Sequence, residues 1–244
     1  TMAPRTPLFR PDRYFDDREP DIARGLVVAV LVTLTAVALV AGIGVVFADK
    51  IDGTVLVDNP DRPPEAFCET AGETPTAGFD DSGFNCSAPA EVERNIDALI
   101  DRALGEFYGV MLIGFPILLL VIAAIFHLAT AAVGGEGSFG ATATVTAWGF
   151  APTLVTTPIG LIALWVLMDP VTVATGIEPD LLQQTLRESL DPWLPLAAGL
   201  NIGSLLWGAV IWTFGLHASR DVSRPQAGAI AATVTGLLVL IAAP

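Results

Sequence analysis

HLATAAVGGEGSFGATATVTAWGFAPTLVTTPIG, residues 127–160, joins two long apolar runs through a tight, glycine-rich turn that carries one carboxylate, Glu136. The second run is interrupted by Pro152 and Pro158 and studded with threonines. Proline removes a backbone donor and frees carbonyls, and threonine hydroxyls can re-satisfy the freed groups inside a bilayer. The stretch therefore predicts two membrane spans joined by a short connector. The second is kinked and breaks near Pro152.

Composition extends this reading to the whole chain. Of the 244 residues, 52% are hydrophobic and only 16% charged, against roughly 25% charged in a soluble domain. The charge is concentrated in a few segments. Between them lie runs free of Asp, Glu, Lys and Arg at residues 25–48, 107–133, 141–168, 193–216 and 227–243. A span takes about 20 apolar residues, so the expected fold is all-α: a five-span helical bundle over residues 25–244, preceded by a polar segment, 1–24. The first run exceeds the core of a signal peptide and is read as a retained span. Trp193 opens the fourth as an interfacial anchor.

The polar connectors carry local signals. In residues 1–24 the sequence LFRPDRYFDD places Phe9, Tyr14 and Phe15 close to the first span, in the headgroup region, with Asp12 capping a short helix. The large connector, 49–105, has a front half rich in Pro, Gly and Asp that predicts irregular chain. Its back half sets Val92, Ile96, Leu99, Ile100 and Ala103 on one helical face. Asp180 caps a predicted short helix with Leu182, Thr185, Leu186 and Leu190 on one side. Cys68 and Cys86 both lie in the large connector, and without Cys or His partners for zinc they read as a disulfide, which requires an oxidising side of the membrane. Two free thiols are the alternative. Asn85-Cys86-Ser87 is a glycosylation sequon that a disulfide at its middle residue would hinder.

Five spans put the termini on opposite sides. The side of the N-terminus holds seven basic residues in the shorter loops, and the other side holds five in nearly twice the length. The positive-inside rule then places the N-terminus in and the C-terminus out, which independently puts both cysteines outside. Nineteen of the 26 acids fall on that outer side, and the net charge of the chain is −14. Acid-rich, lysine-poor connectors suit a protein bathed in high salt, or simply an acidic outer face. An acidic chain without a basic stripe excludes nucleic acid as a partner.

Chemistry-bearing constellations are sparse. Spans without Asp, Glu, Lys or Arg argue against a proton-coupled transporter and an intramembrane metalloprotease. The glycine turn lacks the lysine of a phosphate-binding loop, and no cofactor is implied. His127, His217 and Glu136 fall at the same ends of their spans. They could form a metal or proton site, or the histidines could simply bond to helix C-termini and headgroups. Gly199, Gly203 and, one position on, Ser204 and Gly208 form a small-residue stripe for helix packing, with Asn201 beside it for interhelical hydrogen bonding. Trp148, Trp165, Trp207 and Trp212 read as packing and interface anchors. Gly134, Gly135, Gly137 and Gly140 permit a tight connector. The functional reading of the same turn is that Ser138 and Phe139 present a docking surface.

Three groups of residues carry a family likeness: Pro11-Asp12-Arg13-Tyr14-Phe15 before the first span; His127-Leu128, Gly134-Gly135-Glu136-Gly137-Ser138-Phe139, Thr142 and Trp148-Gly149-Phe150-Ala151-Pro152 at the centre; and Trp207, Gly215-Leu216 and Ser223-Arg224-Pro225-Gln226-Ala227 near the end. In these, and in the five-span plan, the chain resembles the prokaryotic branch of the Yip (Ypt-interacting protein) family. The resemblance implies a non-enzymatic protein of the cell membrane, a scaffold or interaction protein whose eukaryotic relatives bind small Rab-type GTPases and help to shape vesicles. It implies a cytoplasmic protein partner or self-association besides the lipid bilayer. Gly134, Gly135, Ser138, Phe139 and Pro152 transfer as motif positions. The acidic, cysteine-bearing outer loop departs from the compact loops usual in the family. The rival reading is a small transporter or channel along the broken third span, whose mark would be a polar cavity lined by Thr146, Thr153, Thr156 and Asn201.

Overall fold

The computed structural model describes residues 5–18, 20–66, 68 and 86–242. Among them, five spans are long and apolar enough to cross a membrane. A short helix α1 (Pro11–Asp16) precedes α2 (Ile22–Lys50), whose first turn is capped by the Asp21 carboxylate accepting from the Ala23 N–H at 2.9 Å. The second span, α3 (Ile96–Ala132), is 37 residues long. That is about 55 Å of helix against about 30 Å of hydrocarbon, so α3 extends well beyond the bilayer core. The third span is broken: α4 (Phe139–Gly149) and α5 (Thr153–Leu167) meet at residues 150–152. The break falls at Pro152, where the Phe150 carbonyl accepts both the Thr153 N–H at 3.0 Å and the Thr153 hydroxyl at 2.7 Å. The last two spans are α7 (Leu194–Arg220) and α8 (Arg224–Ala242).

The surface is what a bilayer requires and water forbids. Leu112, Ile113, Leu120, Ile162, Leu206 and Leu237 are all more than half exposed, whereas a soluble monomer rarely presents a continuous apolar belt. The main core lies towards the end of the bundle that carries the N-terminus. Phe126 of α3, Val145 and Ala147 of α4, and Ile211, Trp212 and Leu216 of α7 are buried there. Trp212 donates its indole N–H to the Thr146 carbonyl at 3.1 Å. It lies against Gly149, where a Cβ would overlap the indole ring.

The opposite end is closed by a small mixed cap. Strand β1 (Ile51–Asp52) pairs in parallel with β4 (Val171–Thr172), and β2 (Thr54–Asp58) pairs antiparallel with β3 (Glu91–Asn95). Helix α6 (Pro179–Leu190) packs over them through Leu182, Leu186 and Leu190. A second core of Ile51, Val55, Ile96, Leu164, Met168 and Val173 joins the cap to the bundle. Here the structure differs from the periodicity of the sequence. Val92 sits in β3 opposite Val57, not on a helical face, and the helix starts at Ile96. The β-branched run of β2 supplies a pairing edge, and strand pairing overrides the helical period up to Asn95. Cys68 and Cys86 form a disulfide with Cα atoms 5.6 Å apart. The sequon asparagine, Asn85, lies outside the described residues.

Candidate functional site

Helix α3 ends at Ala132 and, like any helix, leaves its last carbonyls without intrahelical partners. The turn that follows answers this in two ways. The Gly134 and Gly135 N–H groups donate back to the Ala131 and Thr130 carbonyls at 3.0 and 2.9 Å. The other connector of this end then docks onto the turn through Arg220, the last residue of α7, only 2% exposed. Its Nε donates to Thr130 Oγ1 at 2.9 Å, one terminal nitrogen to the Gly135 carbonyl at 3.2 Å, and the other to the Gly137 carbonyl. The backbone reciprocates: the Glu136 N–H donates to the Arg220 carbonyl at 2.9 Å.

A buried guanidinium would ordinarily demand a carboxylate, yet among the described residues the ion pair is Arg24 with Asp21, not Arg220. What stands in for a counter-ion is geometry. Arg220 lies at the C-terminal ends of α3 and α7, where helix dipoles present partial negative charge, and it forks onto carbonyl oxygens as a planar guanidinium can. The glycines are required by this clamp. Gly137 has φ +127°, and a Cβ there would overlap the Ser219 carbonyl. A Cβ at Gly135 would sit 2.7 Å from Val222 and 2.9 Å from the Arg220 carbonyl.

Past the turn, Ser138 caps α4, its hydroxyl accepting from the Ala141 N–H at 3.2 Å. Thr142 donates its hydroxyl back to the Ser138 carbonyl at 3.3 Å, and His127 Nδ1 lies 3.3 Å from the same hydroxyl. The His127 ring meets Phe139 edge-on with centroids 5.6 Å apart. Phe139 remains 42% exposed and forms one wall of an apolar cleft of about 500 Å³ between α2, α3 and α4. On the neighbouring connector, His217 Nδ1 lies 2.6 Å from the Val222 carbonyl. Ser223 and Gln226 cap α8 reciprocally, the Ser223 N–H donating to Gln226 Oε1 at 3.0 Å and the Gln226 N–H to Ser223 Oγ at 3.4 Å. Each histidine thus has a structural partner. No group of three His, Cys, Asp or Glu side chains placed to hold a metal ion occurs among the described residues.

The N-terminal segment completes this end. Tyr14 and Phe15 are buried against the bundle, while Phe9 is 84% exposed. Tyr14 meets Trp148 edge-on at 5.6 Å, Phe15 packs on Gly215, and the Leu8 carbonyl accepts from the Trp207 indole at 2.6 Å. Segments far apart in sequence therefore meet at one end of the molecule.

The small-residue stripe of α7 divides. Gly208 lies against the Gly149 carbonyl and Ser204 is buried, but Gly199, Asn201 and Gly203 face away from the other helices. At 3.6 residues per turn, Gly199 and Gly208 lie about 180° apart on the helix, so the one-position step between the two pairs moves the second off the face of the first. The threonines of the third span turn inward on their own helices: Thr146 donates to the Thr142 carbonyl at 2.9 Å and Thr156 to the Pro152 carbonyl at 3.4 Å.

In the sequence Arg220 is one of the seven basic residues on the side of the N-terminus. The signal that could have marked it is a lone cation in the last turn of a span, opposite a glycine turn rich in bare carbonyls.

These features define a polytopic α-helical membrane protein whose N-terminal end is closed by two interlocked connectors. The chain belongs to the Yip1 domain family, which it matches over residues 6–243, nearly its whole length. No curated protein and no solved structure matches it.

Proposed function

We propose that this Yip1-domain protein is a non-enzymatic scaffold or interaction protein of the cell membrane. Its N-terminal end faces the cytoplasm, and the turn at residues 134–139 is its docking element. The observation that carries the reading is the clamp. The backbone of the turn is fixed by Arg220 and Thr130, while Glu136 and Phe139 remain exposed. A rigid turn with outward side chains binds a partner without first losing loop entropy. The inward bonds of Thr146, Thr153 and Thr156 and the outward position of Asn201 support a scaffold over a solute path along the third span.

The test is photo-crosslinking in native membranes from a benzoyl-phenylalanine at position 139, with the same probe at exposed Leu181 of the cap as control. One discrete protein captured from position 139 and not from 181 is the expected result. Lipid adducts or self-adducts alone would contradict a docking turn.

A further inference from the structure

A second cleft, of about 630 Å³, opens on the other side of α2, where Arg5, Arg18 and Arg24 stand at the rim and Val27, Leu31 and Trp148 line the wall. Three observations set it apart from an ordinary lipid-facing groove. First, three arginines line it, and no carboxylate lines it among the described residues. The neighbouring Asp21 is engaged with Arg24 Nε at 3.4 Å, and Arg18 is stacked over the Tyr14 ring at 5.6 Å, which holds its guanidinium in place. Second, the cleft is amphipathic along its length. From Ala23 to Leu31 it follows α2 for about 12 Å, so it leads from the level of the arginines into the hydrocarbon. Third, Trp148 is buried to all but 8%, and its indole nitrogen has no hydrogen-bond acceptor. A buried indole N–H ordinarily finds one.

We propose that this cleft binds an anionic membrane lipid. The phosphodiester sits among the guanidiniums of Arg5, Arg18 and Arg24, an acyl chain lies against Val27 and Leu31, and an ester or phosphate oxygen supplies the acceptor that Trp148 lacks. Arginine suits this role because its planar fork matches phosphate geometry, and its aliphatic stem tolerates the apolar boundary. A free phosphate ion would use the rim alone and leave the apolar wall and Trp148 unexplained.

The test uses the full chain in phosphatidylcholine nanodiscs containing a minor fraction of acyl-brominated phosphatidylglycerol or, in parallel, acyl-brominated phosphatidylcholine. Bromine quenches nearby tryptophan, and subtracting the signal of Trp148→Phe isolates Trp148. The anionic lipid is expected to quench Trp148 at far lower mole fraction than the zwitterionic one. Arg18→Gln and Arg24→Gln, singly and together, are expected to weaken that preference about fivefold per arginine removed. Arg224→Gln, at the same end but outside the cleft, is expected to leave it unchanged. Equal quenching by the two lipids, a preference that survives the double substitution, or an equal loss in Arg224→Gln would overturn the proposal. So would relief of quenching by added inorganic phosphate, which would assign the rim to a free anion.

Discussion

The two ends of this bundle solve the same problem by opposite means. At the N-terminal end two short connectors join four spans, and little chain is available to satisfy the helix termini. The Gly134 and Gly135 N–H groups take the last carbonyls of α3, and one buried cation ties the turn to the other connector, binding Thr130 and the carbonyls of Gly135 and Gly137 while its own carbonyl takes the Glu136 N–H. At the other end the connectors are long and acidic. Their backbone is satisfied by strand pairing between segments distant in sequence, and their side chains remain largely in water. Asp49, for example, accepts from the exposed Trp165 indole at 3.0 Å, and Lys50 lies over the same ring. The contrast teaches that connector length decides the chemistry of closure: short turns need a specific polar knot, whereas long ones can use generic pairing and a crosslink.

The comparison predicts a graded set of effects. Arg220→Met should be the most damaging, because it removes the donors that serve the buried Thr130 hydroxyl and the part-buried carbonyls of Gly135 and Gly137. A loss of about 3–5 kcal/mol is expected, read as a lower unfolding temperature of the purified protein by loss of helical circular dichroism. Arg220→Lys should recover only part of it, since a point charge cannot fork between two carbonyls. At the other end, removing the disulfide with Cys68→Ser and Cys86→Ser opens a loop with a sequence separation of 18. That crosslink is worth about 3 kcal/mol in the chain-entropy model, but the effect should stay local. Proteolysis should cut the large connector faster while the unfolding temperature of the bundle holds. A fall of the whole bundle would mean that the two ends are not independent.

A glycine at each end sharpens the same point. Gly137→Ala forces a side chain into φ +127° against the Ser219 carbonyl, at a strain cost of about 1–3 kcal/mol. Gly176 of the cap has φ +72°, and its nearest neighbour would be the flexible Glu93 carboxylate at 3.2 Å. Asparagine tolerates that left-handed conformation, so Gly176→Asn should change the unfolding temperature little. Comparable losses at both sites would break the distinction between a knotted end and a tolerant one.

Much of the architecture was legible in the sequence because it rests on local signals. Charge-free runs of sufficient length marked five spans, Pro152 marked the break between α4 and α5, and the cysteine pair marked the crosslink. What was not legible depends on contacts far apart in the chain. The bonds of Arg220 to residues 135 and 137 cross 85 and 83 positions, and no periodicity reports them. Strand β3 was hidden because Val92 and Ile96 also fit a helical period. The division of the glycine stripe was hidden because four-residue spacing was followed across a one-residue step that turns the helix by about 100°. The burial of Tyr14 and Phe15 was hidden because sequence shows that aromatics lie near a span, not that Trp148 and Gly215 pack against them.

In the proposed orientation the clamped end faces the cytoplasm and the disulfide-bearing end faces the oxidising side. The direct measurement is labelling of intact cells with a membrane-impermeant maleimide. One sample carries Glu136→Cys in a Cys68→Ser, Cys86→Ser background. The other is the wild-type chain treated with an impermeant reductant. Position 136 is expected to be labelled only after lysis, whereas Cys68 and Cys86 are labelled on intact cells once reduced. Labelling of position 136 on intact cells, with the reduced native cysteines protected until lysis, would contradict it.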